Sequence, residues 1–420
     1  MEKVSMNDLP DDLLLKILSL LPTFKEIVAT SLISKRWRDL WKLLPVIPLL
    51  KFDEKSSSSN DTFKSFVYRS FELNNQPIEK LHLKLYLYYS DIKAWIRAAV
   101  YRRVRVLRID FFFSSTLKLP SCLSKCTTLE TLQLCGLSIN SFPRGFRLPS
   151  LKSLHLLSVK FFSNESVERL LSNCPVLENL VVNKEDYDSV RIFNIDVPTL
   201  KSLSIENSKG ENRGNTNEIN GFGIKAPSLM YLNIKDTFSN FIMFEFMPEV
   251  IKADIEVIFD LSEKFIGSLP SIQHLSFCSL TSKTPYHRGC FFFYLEHLEL
   301  CTCSSGWWNL LASMLNDAPR LKSIKLIKKK LSSARDNDQM TRSEEPTVVP
   351  KCSLTHLENL EWREYKGTEE EVEVAEYILA NATCLKKATF SIRFGDEYRN
   401  VFRKLKFMYR VSKTCQLVFD

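Results

Sequence analysis

The sequence predicts an α/β chain: a three-helix head, a long curved body of repeated strand–helix units, and a closing cap. Three observations carry this: an apolar stripe at helical spacing near the N-terminus, a short apolar template that recurs along most of the chain, and 59 leucines against 11 glycines in 420 residues. Glycine normally supplies about 7% of a chain. Loops that cradle phosphates need clustered glycines, and Gly221-Phe222-Gly223 has no third to complete it. A nucleotide-binding enzyme is therefore not expected.

The head comes first. Leu13, Leu14, Ile17, Leu18 and Leu21 recur at spacings of three and four, one stripe on a helix that Pro10 opens and Pro22 ends. Asp11 and Asp12 complement the helix dipole in its first turn. Ile27, Val28 and Leu32 predict a second short helix, and Trp37, Leu40, Trp41 and Leu44 a third. Three short helices make a very small core, so leftover apolar surface should find a partner or the rest of the chain. A polar run from Asp53 to Asp61 then reads as a linker, and runs at 206–221 and 332–346 read as mobile loops.

The body repeats apolar-x-x-apolar-x-apolar from Ile78, Val104, Leu129, Leu151, Leu177, Leu200, Leu229, Val250, Ile272, Leu295, Leu321, Leu357 and Leu385. The starts lie 21 to 29 residues apart except for 36 before Leu357, which is the leucine-rich-repeat period. Proline stands two residues before the template at Pro149, Pro175, Pro198, Pro227, Pro248, Pro270 and Pro319, where it suits the entry to a short strand. Ser163 to Asn173 and Trp307 to Leu315 read as connecting helices. No single repeat can bury its apolar face, so neighbours stack into a solenoid with a concave strand surface.

Leu9-Pro10, the stripe to Leu21, Pro22-Thr23, Val28-Ala29-Thr30-Ser31 and Ser34-Lys35-Arg36-Trp37-Arg38-Asp39-Leu40-Trp41 stand in the order and spacing of an F-box, and the head resembles the plant form. Phe24 departs from that pattern, which runs from Pro-Thr directly to a Lys-acidic pair, here Lys25-Glu26. The extra residue should rotate or lengthen the first inter-helix turn. The tail resembles the FBD domain through Val349-Pro350-Lys351-Cys352, Leu357, Leu360, Trp362, Tyr365-Lys366-Gly367-Thr368, Tyr377-Ile378-Leu379-Ala380-Asn381-Ala382 and Cys415-Gln416-Leu417-Val418-Phe419. Within it, Glu369 to Ala380 reads as an amphipathic helix and Leu417 to Phe419 as a closing strand.

The resemblance to plant F-box/FBD/leucine-rich-repeat proteins divides the chain into an F-box at 1–50, a linker and solenoid entry at 51–76, leucine-rich repeats at 77–346 and an FBD cap at 347–420. It implies a substrate-recruiting subunit of an SCF-type E3 ubiquitin ligase in the nucleus and/or cytoplasm. The F-box would bind a Skp-family adaptor, and through it cullin and RING subunits, while the repeats hold an unknown target protein. The matching adaptor-facing positions are Leu9, Pro10, Leu13, Leu14, Ile17, Leu18, Leu21, Pro22, Ile27, Val28, Leu32 and Trp37, with Ser34 and Lys35 beside them. The alternative is a repeat scaffold outside any ligase that binds a protein or an anionic ligand.

Chemistry-bearing motifs are sparse. There is no GxSxG and no HExxH, and His82, His155, His274 and His297 fall in or beside strand templates. Cys122-x3-Cys126 and Cys301-x-Cys303 lack the partners of a zinc site and read as buried thiols, as do Cys174 and Cys384. The acids at Glu369, Glu370, Glu371, Glu373 and Glu376 read as a solvated face near a helix start. No catalytic residue, metal or cofactor is expected. The 11 cysteines without a CxxC pair, and a first ten residues without an apolar core, favour a reducing compartment. A net charge of +8 implies neither nucleic acid nor membrane by itself. Its basic clusters at 97–108, 320–330 and 399–413 would either steer an acidic target or edge the repeats as solvated charges.

Overall fold

In the computed structural model, the described residues are 9–73, 75–87, 90–116, 118–184, 190–207, 219–257, 268–279, 292–304, 307–328, 354–392 and 398–420. The loop expected at 332–346 and most of the one expected at 206–221 lie outside them. The chain divides into two compact units, 1–199 and 200–420.

The first unit opens with helices α1 (Asp11–Ser19), α2 (Phe24–Ala29) and α3 (Trp37–Leu40), the last two each extended by a short 3-10 turn. Strand β1 (Ile47–Asp53), helix α4 (Asn60–Glu72) and strand β2 (Ile78–Leu85) follow. The polar run at 53–61 is thus corrected from linker to structure. Buried Glu54 accepts the backbone N–H groups of Tyr86 and Leu87, and Ser59 caps α4 through the N–H of Thr62. Acceptors placed to satisfy strand-end and helix-start donors order a segment that is too polar to order itself by burial.

After helix α5 (Ile92–Tyr101), the unit continues through β3 (Val106–Thr116), β4 (Thr131–Ile139), β5 (Ser153–Leu157), β6 (Lys160–Phe161), α6 (Asn164–Ser172), β7 (Asn179–Asn183) and β8 (Ile192–Asp196). Strands β1, β2, β3, β4, β5 and β7 pair in parallel, in chain order. Register aligns Leu81, Leu107, Leu132, Leu154 and Leu180 in one inward row, all buried. The second and third apolar template positions thus make continuous ladders.

The second unit repeats the pattern with β9 (Ser202–Asn207), β10 (Gly221–Lys225), β11 (Tyr231–Asp236), β12 (Phe241–Phe244), β13 (Lys252–Val257), β14 (His274–Ser279), β15 (His297–Cys301), helix α7 (Trp307–Asp317), β16 (Ser323–Ile327), β17 (Asn359–Tyr365), helix α8 (Glu369–Asn381), β18 (Lys387–Ile392), helix α9 (Tyr398–Phe407) and β19 (Gln416–Phe419). All but β10 and β12 lie in one parallel ladder whose spatial order is the chain order. Gly221 of β10 lies so close to β12 that a Cβ would fall 1.6 Å from the Phe241 carbonyl oxygen. Close strand approach, not ligand binding, requires this glycine.

Each template start leads into a parallel strand, but the prolines do something other than expected. The N–H of Leu151 bonds the carbonyl of Leu148, that of Leu177 the carbonyl of Cys174, and that of Leu229 the carbonyl of Ala226. Pro149, Pro175 and Pro227 therefore occupy the second position of a tight turn ahead of the strand. A fixed φ near −65° is what that position demands. Leu357, Leu385 and Cys415 close the same turn on Leu354, Ala382 and Ser412 without a proline.

Two cysteine expectations also change. Cys384 is exposed because it sits in such a turn while Leu385 takes the inward place. Cys301 and Cys303 are joined as a disulfide. Residues two apart on extended backbone point the same way, and a Cα separation of 5.5 Å lies within disulfide reach. Among the described residues, no helix is long and apolar enough to cross a membrane.

Candidate functional site

Helix α1 is apolar on two sides, and the structure separates them. Leu14 and Leu18 are fully buried, as is Ile27 of α2, while Trp37 of α3 is 1% exposed. These four residues, read from the sequence as partner-facing, form the head's own interior, because i, i+4 pairs on short helices must close a core before anything else can dock. Leu13 is 47% exposed and Leu32 88% exposed. Pro10 and Pro22 are exposed, and Leu9, Ile17, Leu21, Val28 and Ser34 are half-buried; Lys35 is exposed.

Four accessible apolar side chains of the head were not in the expected set: Leu20, Ile33, Leu43 and Val46. Leu13, Ile17 and Leu20 follow an i, i+4, i+7 spacing that makes a second stripe. Seven apolar residues between Leu13 and Leu21 exceed what one inward face needs, and that surplus was the available signal.

Local chemistry holds the head rigid beneath this surface. Thr23 and Glu26 form a capping box at α2: the Glu26 N–H donates to Thr23 Oγ1 at 3.3 Å and the Thr23 N–H to Glu26 Oε2 at 3.1 Å. Phe24, the extra residue, is buried edge-on against Trp41 with ring centroids 5.7 Å apart. The turn is thus not loosened; its added side chain enters the core. Trp41 Nε1 donates to the Arg38 carbonyl at 2.9 Å, and Arg36 Nε to Asp11 Oδ1 at 3.1 Å, tying the third helix to the start of the first. Exposed Lys16, Lys25, Lys35 and Arg38 give the apolar patch a polar rim.

The strand faces carry the other accessible chemistry. In the first unit, His82 Nε2 lies 2.7 Å from Asp110 Oδ2, and Arg108 Nε donates to Asp110 Oδ1 at 2.9 Å. Burial pushes the Asp110 carboxyl up, but the His82 and Arg108 bonds outweigh it and hold the group below the usual carboxylate range. Arg105 bridges Glu79 and Glu130, and in the second unit Lys322 pairs with Glu296 and Lys325 with Glu299. These members of the first two basic clusters are therefore matched by acids one repeat away. In the third cluster, exposed Arg403, Lys404, Lys406 and Lys413 form no ion pair with a described residue, although Lys406 lies over the Phe402 ring.

On the second unit's outward face, Ser204, Glu206, Asn233, Lys235, Asp254 and Glu256 line a groove of about 310 Å³ on β9, β11 and β13. His274 and His297 stack at 4.4 Å on β14 and β15, and burial, with His297 and Lys252 nearby, lowers the His274 pKa. The acids of α8 do not converge. Glu371 is buried and accepts N–H groups of Lys366, Gly367 and Thr368, whereas Glu369, Glu373 and Glu376 are exposed. Burial raises the Cys174 thiol to about 12, which removes it as a nucleophile at neutral pH.

The relatives match this layout region by region. The F-box domain model covers residues 6–48, the model for the leucine-rich repeats of FBD-associated F-box protein At5g56370 covers 92–237, and the FBD model covers 344–390. An FBD-associated F-box protein of Arabidopsis thaliana, At5g56560, is 57% identical over 425 residues, with both chains covered in full. The chain belongs to the F-box/FBD/LRR-repeat family. Another Arabidopsis thaliana member, F-box/FBD/LRR-repeat protein At5g56570, is 49% identical over 99% of this chain and 92% of its own length. Among solved structures, the leucine-rich repeat domain of APL1B covers 87% of the chain at 12% identity and a TM-score of 0.38. An N-terminal F-box, leucine-rich repeats and a C-terminal FBD domain are thus the architecture of this F-box/FBD/LRR-repeat protein.

Proposed function

We propose that the protein is a non-catalytic, substrate-recruiting subunit of an SCF-type E3 ubiquitin ligase. Its F-box would dock a Skp-family adaptor and its repeats would hold a target protein. The observation that carries this reading is a head with a closed core of its own and a second, accessible apolar surface around Leu13, Leu20, Leu32 and Ile33. Leaving large apolar groups in water beside a polar rim is the pattern of an interface core. A stable interface needs roughly 800 Å² from each partner.

In this reading Leu9, Pro10, Leu13, Ile17, Leu21, Pro22, Val28 and Leu32 contact the adaptor together with Leu20 and Ile33. Leu14, Leu18, Ile27 and Trp37 support that surface from beneath. The adaptor bridges to cullin and RING subunits, and tethering raises the effective concentration of target lysines at the charged conjugating enzyme. The site of action is the nucleus and/or cytoplasm. Co-purification of the full chain with a Skp-family adaptor tests the reading. Leu13→Asp with Leu32→Asp should abolish retention while the chain stays folded. Retention unchanged by that pair, or absent in the wild type, removes the ligase role and leaves a repeat scaffold.

A further inference from the structure

Three sulfurs meet at the ends of β14 and β15. The Sγ atoms of Cys278, Cys301 and Cys303 all lie within 4.8 Å of one another. Strand register places two of them in an outward row rather than in the inward ladder. Glu206, Lys235, Glu256 and Cys278 occupy one row of the ladder, on the outward face. Cys301 follows Leu300, the partner of Phe277, and so continues that row. Glu206 and Lys235 are exposed at this position and Glu256 is half-buried, yet Cys278 is 1% and Cys301 3% exposed. Outward positions that hold charges in the preceding repeats thus hold buried thiols here, beside buried Ile327 of β16, which is in register with Cys301. Cys303 joins them because Thr302 is pinned by its N–H to the Ile327 carbonyl at 2.9 Å, which turns residues 301 and 303 to the same side.

We propose that the reduced trio is a binding site for one zinc ion. Zinc–sulfur bonds of about 2.3 Å place the sulfurs of one shell roughly 4 Å apart, a spacing this cluster reaches with little movement. Soft thiolates select zinc or copper(I) over magnesium or calcium. Three thiolates leave a net charge of −1 on a zinc complex and −2 on a copper(I) complex, and burial penalises the larger charge. Loading requires the Cys301–Cys303 disulfide to be opened. A dithiol reductant supplies two electrons and two protons and is itself oxidised to a disulfide. Metal binding then expels three thiol protons as three sulfur–metal bonds form.

The test uses the full chain, reduced and freed of reductant under anaerobic conditions, titrated with cadmium as a spectroscopic stand-in for zinc. One equivalent should produce a thiolate-to-metal charge-transfer band with the intensity of three bonds, and prior loading with one equivalent of zinc should slow or reduce its appearance. Cys278→Ser should lower the band to two bonds and weaken affinity at least about tenfold, the lower bound for loss of even an outer-shell partner. Cys415→Ser, outside the cluster, should change nothing, and circular dichroism confirms that each variant is folded. The proposal is overturned if the reduced wild type gives no band at one equivalent, or if Cys278→Ser and Cys303→Ser both bind as the wild type does.

Discussion

The head and the repeat units spend the same leucines in opposite ways. In the strand ladders, the apolar template positions point inward, and Leu81, Leu107, Leu132, Leu154 and Leu180 are all buried in one row. In the head, Leu14 and Leu18 are buried while Leu13 on the same helix, Leu20 just past its end and Leu32 in the turn after α2 are exposed. A repeat completes its inward row with the next repeat, although single apolar side chains outside that row, such as Phe112, Phe162 and Phe246, stand exposed. A forty-residue head closes its core with a few side chains and keeps a surplus, which is what a docking module requires.

Substitutions in the two interiors should give the largest effects, in different places. Trp37→Ala removes a tryptophan that is 1% exposed in the head's core and should cost about 3–5 kcal/mol. Amide exchange should then show 9–44 opened and the strand ladders still protected; protection lost throughout the chain would erase the contrast between the regions. Leu298→Ala, in the second unit's inward row, should cost about 2–5 kcal/mol, read as a lowered denaturant midpoint, with adaptor retention unaffected. Loss of retention there would mean that the head depends on the repeats.

Smaller effects sharpen the same comparison. Thr23→Ala removes the α2 capping box and should cost about 1 kcal/mol, measured by thermal unfolding of the head. The repeats offer a charge test instead. Asp236 is fully buried; it accepts bonds from Asn207 and the Phe238 and Ser239 N–H groups, yet burial dominates and raises its pKa. A carboxyl whose folded pKa is raised disfavours folding when charged. Its penalty is present at neutral pH and is relieved as pH falls through the folded value toward the unfolded one. Asp236→Asn should therefore flatten the rise of stability on acidification, compared with wild type by urea midpoints at pH 7 and pH 5. An unchanged slope would show that the folded carboxyl keeps its charge down to pH 5 and would contradict the raised pKa.

How much was legible follows from how local each signal is. The template starts, the helices at 163–173 and 307–315 and the closing strand are set by periodicity and appear where the residues place them. The orientation of α1 was not legible, because an apolar set spread around a helix does not say which side faces home. Phe24 looked like a disruption, yet one added residue puts Glu26 in register with Thr23 for the capping box. The run at 53–61 has no periodicity, and its order comes from Glu54 bonding strand-end N–H groups thirty residues away. Cys278 could have been found: it stands six residues after Ile272, as Cys301 does after Leu295, so the repeat alignment places the two side by side.

Whether the exposed apolar face of the head is an interface or idle surface is decided by calorimetric titration of a Skp-family adaptor into the full chain and into Leu32→Asp. For an interface, the two unfolding free energies should lie within about 0.5 kcal/mol of each other, and binding should weaken by at least about 2 kcal/mol, near thirtyfold in Kd. Equal affinities for the two chains would contradict an interface.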